Sequence, residues 1–182
     1  DSLSRIFVLI FCLAAFLGNL FAWHIKDTIQ QVSALAYAGS AIGAALSGDL
    51  IALFFYWEGT AIASVFLIWA RRTEGSYWTG MRYLVIQIAS GVILIAGVSL
   101  YYYDTSSIAF ERMELGSVAT WLIFLSFGIK CAFPLLHNWL QDSYPAATIT
   151  GTVILSAFTT KLAVYALARG FAGTEILIYI GT

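Results

Sequence analysis

An all-α, polytopic transmembrane bundle, with about six spans and the start of a seventh, is the fold class this sequence predicts. Charged residues make up only 10% of the chain against 60% hydrophobic ones, whereas soluble domains run near 25% charged. Apolar runs close to or above about 18 residues, the length that crosses hydrocarbon, recur from end to end. Polar clusters and aromatic rings suited to headgroup depth punctuate those runs.

Taken in order, the first span covers residues 3–23, too long an apolar run for a signal peptide and with no small-residue cleavage pattern after it. The polar segment 24–31 is an interfacial loop. Span two, 32–46, is built from small residues: Gly39 and Gly43, with Ala36, Ser40 and Ser47 nearby, form a small-xxx-small face that places it inside the bundle. Asp49 is positioned to cap the next helix by accepting from its free N–H groups. Span three is 50–70 and holds Glu58. A loop with Arg71, Arg72, Glu74 and Arg82 leads to span four, 83–103, which closes on three tyrosines. A polar loop, 104–114, precedes span five, 115–140. Residues 141–147 turn around Pro145, span six is 148–168, and a loop at 169–175 leads to a seventh apolar run from Ile176. The chain opens on Asp1 and ends inside that run, so it reads as an internal piece of a longer protein, a single but partial transmembrane domain over 1–182.

Lys and Arg concentrate on cytoplasmic loops. Arg71, Arg72 and Arg82 place the 71–82 loop inside, and alternation adds Lys26 to that side while Arg5, Arg112 and Arg169 fall outside. A net charge of −1 offers no basic field for nucleic acid. Cys12 and Cys131 lie in apolar runs without metal-ligand or disulfide spacing, so neither a metal nor a cofactor is expected.

Three charged residues fall deep within spans: Glu58, Lys130 and Lys161. At 1.5 Å per residue they lie about 12, 22 and 20 Å into their helices, in the middle of a hydrocarbon core roughly 30 Å thick. One reading is structural, an ion pair between Glu58 and one lysine that braces the bundle and leaves the other lysine over. The other is a proton or ion path, the default for ionisable groups at this depth. Lysine suits that path because burial and a neighbouring carboxylate move its proton affinity in opposite directions. Pro134 strengthens the second reading. It lacks an N–H, so the carbonyl four residues earlier, that of Lys130, loses its helical partner and the helix should break there. Broken helices at midplane mark transport sites. His137, seven residues after Lys130, is expected on the same helical face two turns nearer the cytoplasm, able to shuttle protons or to rest at the interface. His24 is a loop residue, and Ser64, Gln87, Ser126, Thr159 and Thr160 are candidates for carrying water between the charges.

Three blocks in order carry a resemblance. Gly48-Asp49-Leu50 with Phe55-Tyr56-Trp57-Glu58, then Gly128-Ile129-Lys130 through Pro134 to His137-Asn138-Trp139-Leu140, then Thr160-Lys161-Leu162 through Arg169, resemble the antiporter-like proteins. That family comprises the large membrane components of Mrp-type sodium/proton antiporters, among which the D-type branch is the nearest match, and the proton-pumping membrane subunits of respiratory complex I. The resemblance implies a protein of about fourteen spans with two inverted five-helix repeats, the first of them matching residues 32–169 here. It implies that Glu58 and Lys130 form the charge pair that gates protonation, that Lys161 relays the proton onward, and that His137 sits on the cytoplasmic uptake side. It also implies partner subunits in a cell-membrane complex, protons and sodium as cargo, and a lipid surround. Complex I members usually place a proline and a histidine after the tryptophan motif; Gln141 and Tyr144 stand in that region here, which favours the Mrp branch.

Overall fold

The computed structural model describes residues 1–181. They form eight helices: α1 Ser2–Phe21, α2 Thr28–Leu46, α3 Leu50–Trp69, α4 Glu74–Thr105, α5 Val118–Cys131, α6 Asn138–Ala146, α7 Ile149–Gly170 and α8 Ile176–Gly181. By length and composition α1, α3, α4 and α7 are each able to cross a bilayer, and α5 is a shorter apolar helix. The all-α expectation is met, with a single isolated bridge, Asp49 to Ala109, among the described residues.

Helix starts follow side-chain caps. Asp27 accepts from Ile29 N at 3.1 Å, Asp49 from Ala52 N at 2.7 Å and Thr148 from Gly151 N at 3.0 Å. These caps satisfy N–H groups that have no partner within the helix. They also move boundaries. Because Asp27 is a cap, α2 begins at Thr28 rather than at residue 32. Thr73 and Ser76 form a reciprocal capping box, so α4 begins at Glu74 and runs 32 residues. The expected 71–82 loop therefore contracts to the few residues before Glu74, and Arg82 lies within the helix. At about 48 Å, α4 exceeds the hydrocarbon thickness and extends past it.

Span five is the larger correction. It is two helices, α5 and α6, joined by the irregular segment 132–137. Pro145, expected in a turn, lies within α6.

α7 is the hub, packing on α1, α2, α3, α5 and α6. α2 buries Ala34, Ala38, Ala41, Ala44 and Ala45 with Tyr37. Its close approach to α3 runs through Gly43 under the Tyr56 ring and Ser40 against Gly59. Gly39, expected on that face, points to open space. Outward, α1 presents Leu9, Leu13, Phe16 and Leu20, as a lipid-facing helix would.

The two ends of the bundle are held differently. At one, Arg71 donates to the carbonyls of Pro145 and Ala147, Arg72 pairs with Asp27 at 3.2 Å, and Arg82 with Asp142 at 3.5 Å. At the other, backbone bonds lace the loops: Leu50 N to Ile108 O at 2.9 Å, Phe110 N to Gly48 O at 2.9 Å and Met113 N to Gly170 O at 2.7 Å. Arg169 completes this end, donating to Phe110 O, Ser4 Oγ and Tyr165 OH.

Candidate functional site: a buried lysine at a helix break

The break that follows Lys130 is a helix C-cap. Ala132 takes a left-handed conformation (φ 61°, ψ 50°), Phe133 N bonds to Gly128 O at 3.0 Å and Ala132 N to Ile129 O at 3.2 Å. This pair of reversed bonds is a Schellman cap, here with alanine where glycine is usual. The Phe133 ring folds back over Gly128, where a Cβ would fall 2.5 Å from the ring. Pro134 then follows the cap and forbids any restart of the helix. The expected break thus exists, but α5 stops at Cys131, three residues before the proline, because the left-handed cap at Ala132 ends it first.

Lys130 occupies the last turn of α5 and is wholly buried. Its Nζ donates to the carbonyl of Trp57 and, at 3.0 Å, to Thr60 Oγ1, and lies 4.5 Å from the centre of the Trp57 ring. Burying an ammonium costs several kcal/mol after relaxation, and these contacts with α3 offset part of that cost. The α5 C-terminus adds a favourable end of the helix dipole. Trp57 is in turn fixed by its indole N–H on Ser90 Oγ at 3.2 Å, and Ser90 and Ser126 bond reciprocally through hydroxyl and carbonyl.

Glu58 follows Trp57 on α3 and interacts electrostatically with Lys130. Among the described residues, however, no ion pair joins them, and Glu58 Oε1 is buried without a hydrogen-bond partner. The carboxylate instead lies against Gly91 of α4.

The other sequence candidates separate from this centre. Lys161 is exposed on the outer face of α7, its Nζ on Ser156 O at 2.7 Å and Thr160 Oγ1 at 3.3 Å. The three ionisable residues share a depth in sequence but not one buried layer. His137 is the residue before α6, partly buried, with no side-chain capping bond. Helical spacing from Lys130 does not apply to it, because 132–137 are not helical, so the same-face expectation fails.

Ser64 and Thr159, candidates from the sequence, belong to a hydroxyl cluster that also takes in Thr60 and three tyrosines, which the sequence does not single out. Thr60 and Ser64 lie one turn apart on α3, both fully buried, and Ser64 Oγ meets Tyr83 OH at 2.7 Å. Tyr37 OH meets Thr159 Oγ1 at 2.5 Å, and Tyr37 and Tyr144 both donate to Leu155 O, at 3.2 and 3.3 Å. The available signal was a tyrosine at the middle of span two, where no headgroup could receive it. Gln87, one turn beyond Tyr83 on α4, is fully buried with neither amide atom partnered.

Comparison with known proteins places this arrangement. Residues 47–179 match the family described as NADH:quinone oxidoreductase/Mrp antiporter, transmembrane. NADH-quinone oxidoreductase subunit M of Pseudomonas aeruginosa is 28% identical over 93% of the chain and 38% of its own length. The A-type Na+/H+ antiporter subunit of Alkalihalophilus pseudofirmus is 31% identical over 74% of the chain and 18% of its own. The Mrp complex from Dietzia sp. contains a chain that superposes over 100% of this one and 37% of itself, with TM-score 0.87 and 24% identity, a likeness of fold. The chain thus spans well under half the length of these relatives. With the family match extending over both the Glu58 helix and the Lys130 break, the chain belongs to the NADH:quinone oxidoreductase/Mrp antiporter transmembrane family.

Proposed function

We propose that the chain is part of a proton-translocating membrane subunit in which Lys130 is the buried proton carrier and Glu58 its electrostatic partner. One observation carries this reading. A fully buried lysine Nζ is held by neutral acceptors, with a carboxylate in electrostatic range but not bound to it. A brace would pair the two charges. A carrier must be able to release its proton, and a loosely coupled carboxylate sets how readily it does.

On this reading Lys161, exposed on α7, passes the proton to a group outside this chain, and His137 serves the uptake side. Residues 32–169 form the first five-helix repeat, and the arginine end faces the cytoplasm of a cell-membrane complex with further subunits. Coupling is to sodium exchange, as the names of the antiporter relatives suggest.

Flux tests it. Cation-dependent proton flux in vesicles of the full-length complex should fall steeply for Glu58→Gln and Lys130→Ala, and also for Lys161→Ala. Unchanged flux in all three, with normal assembly, would defeat the reading.

A second reading is redox-driven pumping within a quinone oxidoreductase, favoured by the subunit M relative, which aligns over 93% of the chain. It predicts flux that requires an electron donor and is indifferent to a sodium gradient.

A further inference from the structure

We infer that Gly91 is a positioning residue for the Glu58 carboxylate, and this rests on the proton-carrier reading of Glu58 and Lys130. Gly91 is buried on α4, facing α3. The three atoms nearest to a Cβ built at Gly91 all belong to Glu58: Oε1, which it would strike, Cδ at 2.5 Å and Cγ at 3.3 Å. The missing side chain is therefore a notch, and the carboxylate fills it.

The notch gives Glu58 a place to rest other than on Lys130. In that place Oε1 has no hydrogen-bond partner, and Gln87, one turn away on the same face of α4, has two unpartnered amide atoms. Buried polar groups without partners are costly, so Glu58 Oε1 and the Gln87 amide make this side of α4 a polar strip inside a largely apolar helix. A carboxylate docked there stands off from the ammonium, which keeps its own acceptors, Trp57 O and Thr60 Oγ1. Gly91 thereby sets the separation of the two charges. Any side chain at position 91 takes the space the carboxylate fills and drives it out of the notch towards Lys130, closing the pair.

Epistasis distinguishes this from a packing role. Proton flux and complex assembly are compared in four forms of the full-length protein within its complex: wild type, Gly91→Ala, Glu58→Asp and the double variant. Gly91→Ala should lower flux at least about tenfold, the scale of loss expected when a reacting group is displaced by about an ångström. In the Glu58→Asp background, where the carboxylate is one methylene shorter and the clashes at Oε1 and Cδ are replaced by a contact near the Cγ position, 3.3 Å from the added Cβ, the same substitution should cost far less flux than in the wild-type background. Should Gly91→Ala alone fail to assemble, Gly91→Ala/Glu58→Ala restores the space without the carboxylate. That variant should assemble but not conduct, whereas Gly91→Ala/Glu58→Asp should do both.

Equal losses from Gly91→Ala in both backgrounds, or wild-type flux for Gly91→Ala, would overturn the inference while leaving the Glu58→Gln result intact. Wild-type flux for Glu58→Gln would instead remove Glu58 as the partner of Lys130, and the positioning role with it.

Discussion

The indole N–H of Trp139 donates to the carbonyl of Ile129 at 2.9 Å, so the first turn of α6 is fastened to the last turn of α5 across the break. The donor is 2% exposed and its ring packs on Tyr83 with centroids 5.6 Å apart, which ties the break to α4 as well. Trp139→Phe keeps much of the ring and removes the bond. It should lower stability by about 1 kcal/mol, read as a lower thermal unfolding midpoint in detergent.

Ala132 caps α5 at φ 61°. A left-handed conformation costs a non-glycine residue about 1 kcal/mol or slightly more. Ala132→Gly relieves that strain and should raise the unfolding midpoint, whereas Ala132→Val should depress it. A midpoint unchanged in both would mean that the cap bears no strain.

Tyr83 OH sits on Ser64 Oγ, next in line from Thr60 and Lys130. Tyr83→Phe should cost about 1 kcal/mol of stability. If protons reach Lys130 through these hydroxyls, the same change should slow flux several-fold while Tyr165→Phe, outside that line, should not. Flux assays on both variants at matched assembly decide.

Arg169 donates to three partners at 2.7–2.9 Å from one part-buried guanidinium. Lysine offers a point charge and no fork. Arg169→Lys should therefore cost about 2 kcal/mol, visible in thermal unfolding.

Arg82 and Asp142 form the contrasting case. Their side chains are 64% and 57% exposed in a 3.5 Å ion pair. Exposed pairs contribute roughly 0–1 kcal/mol, so Asp142→Asn should barely move the unfolding midpoint, and added salt should erase the difference.

Much of this architecture was legible in the sequence because lipid leaves so few solutions. Apolar length announced the spans, Asp49 its cap, and the lysine followed by proline the break. What the sequence hid was set by tertiary contact. The Schellman cap at Ala132 has no glycine to advertise it, and the Thr73–Ser76 box lacks the usual acidic third residue, so nothing in the sequence marks the true start of α4 at Glu74. In the site, Glu58 and Lys130 were legible as buried charges, but their geometry was not. Nothing in the spacing of two helices says that a carboxylate will prefer a glycine on a third. Lys161 shows the converse: depth is readable from sequence, but the face on which a residue lies depends on which neighbours its helix finds.

The lacing of one end by main-chain bonds, against side-chain contacts at the other, has a physical consequence. Main-chain ladders such as Leu50 N to Ile108 O and Met113 N to Gly170 O do not exchange partners easily, whereas arginine contacts on an exposed surface do. The two ends therefore answer differently to solvent: ionic strength acts on the exposed arginine contacts near α6, while the main-chain bonds near Gly48 and Phe110 are indifferent to it.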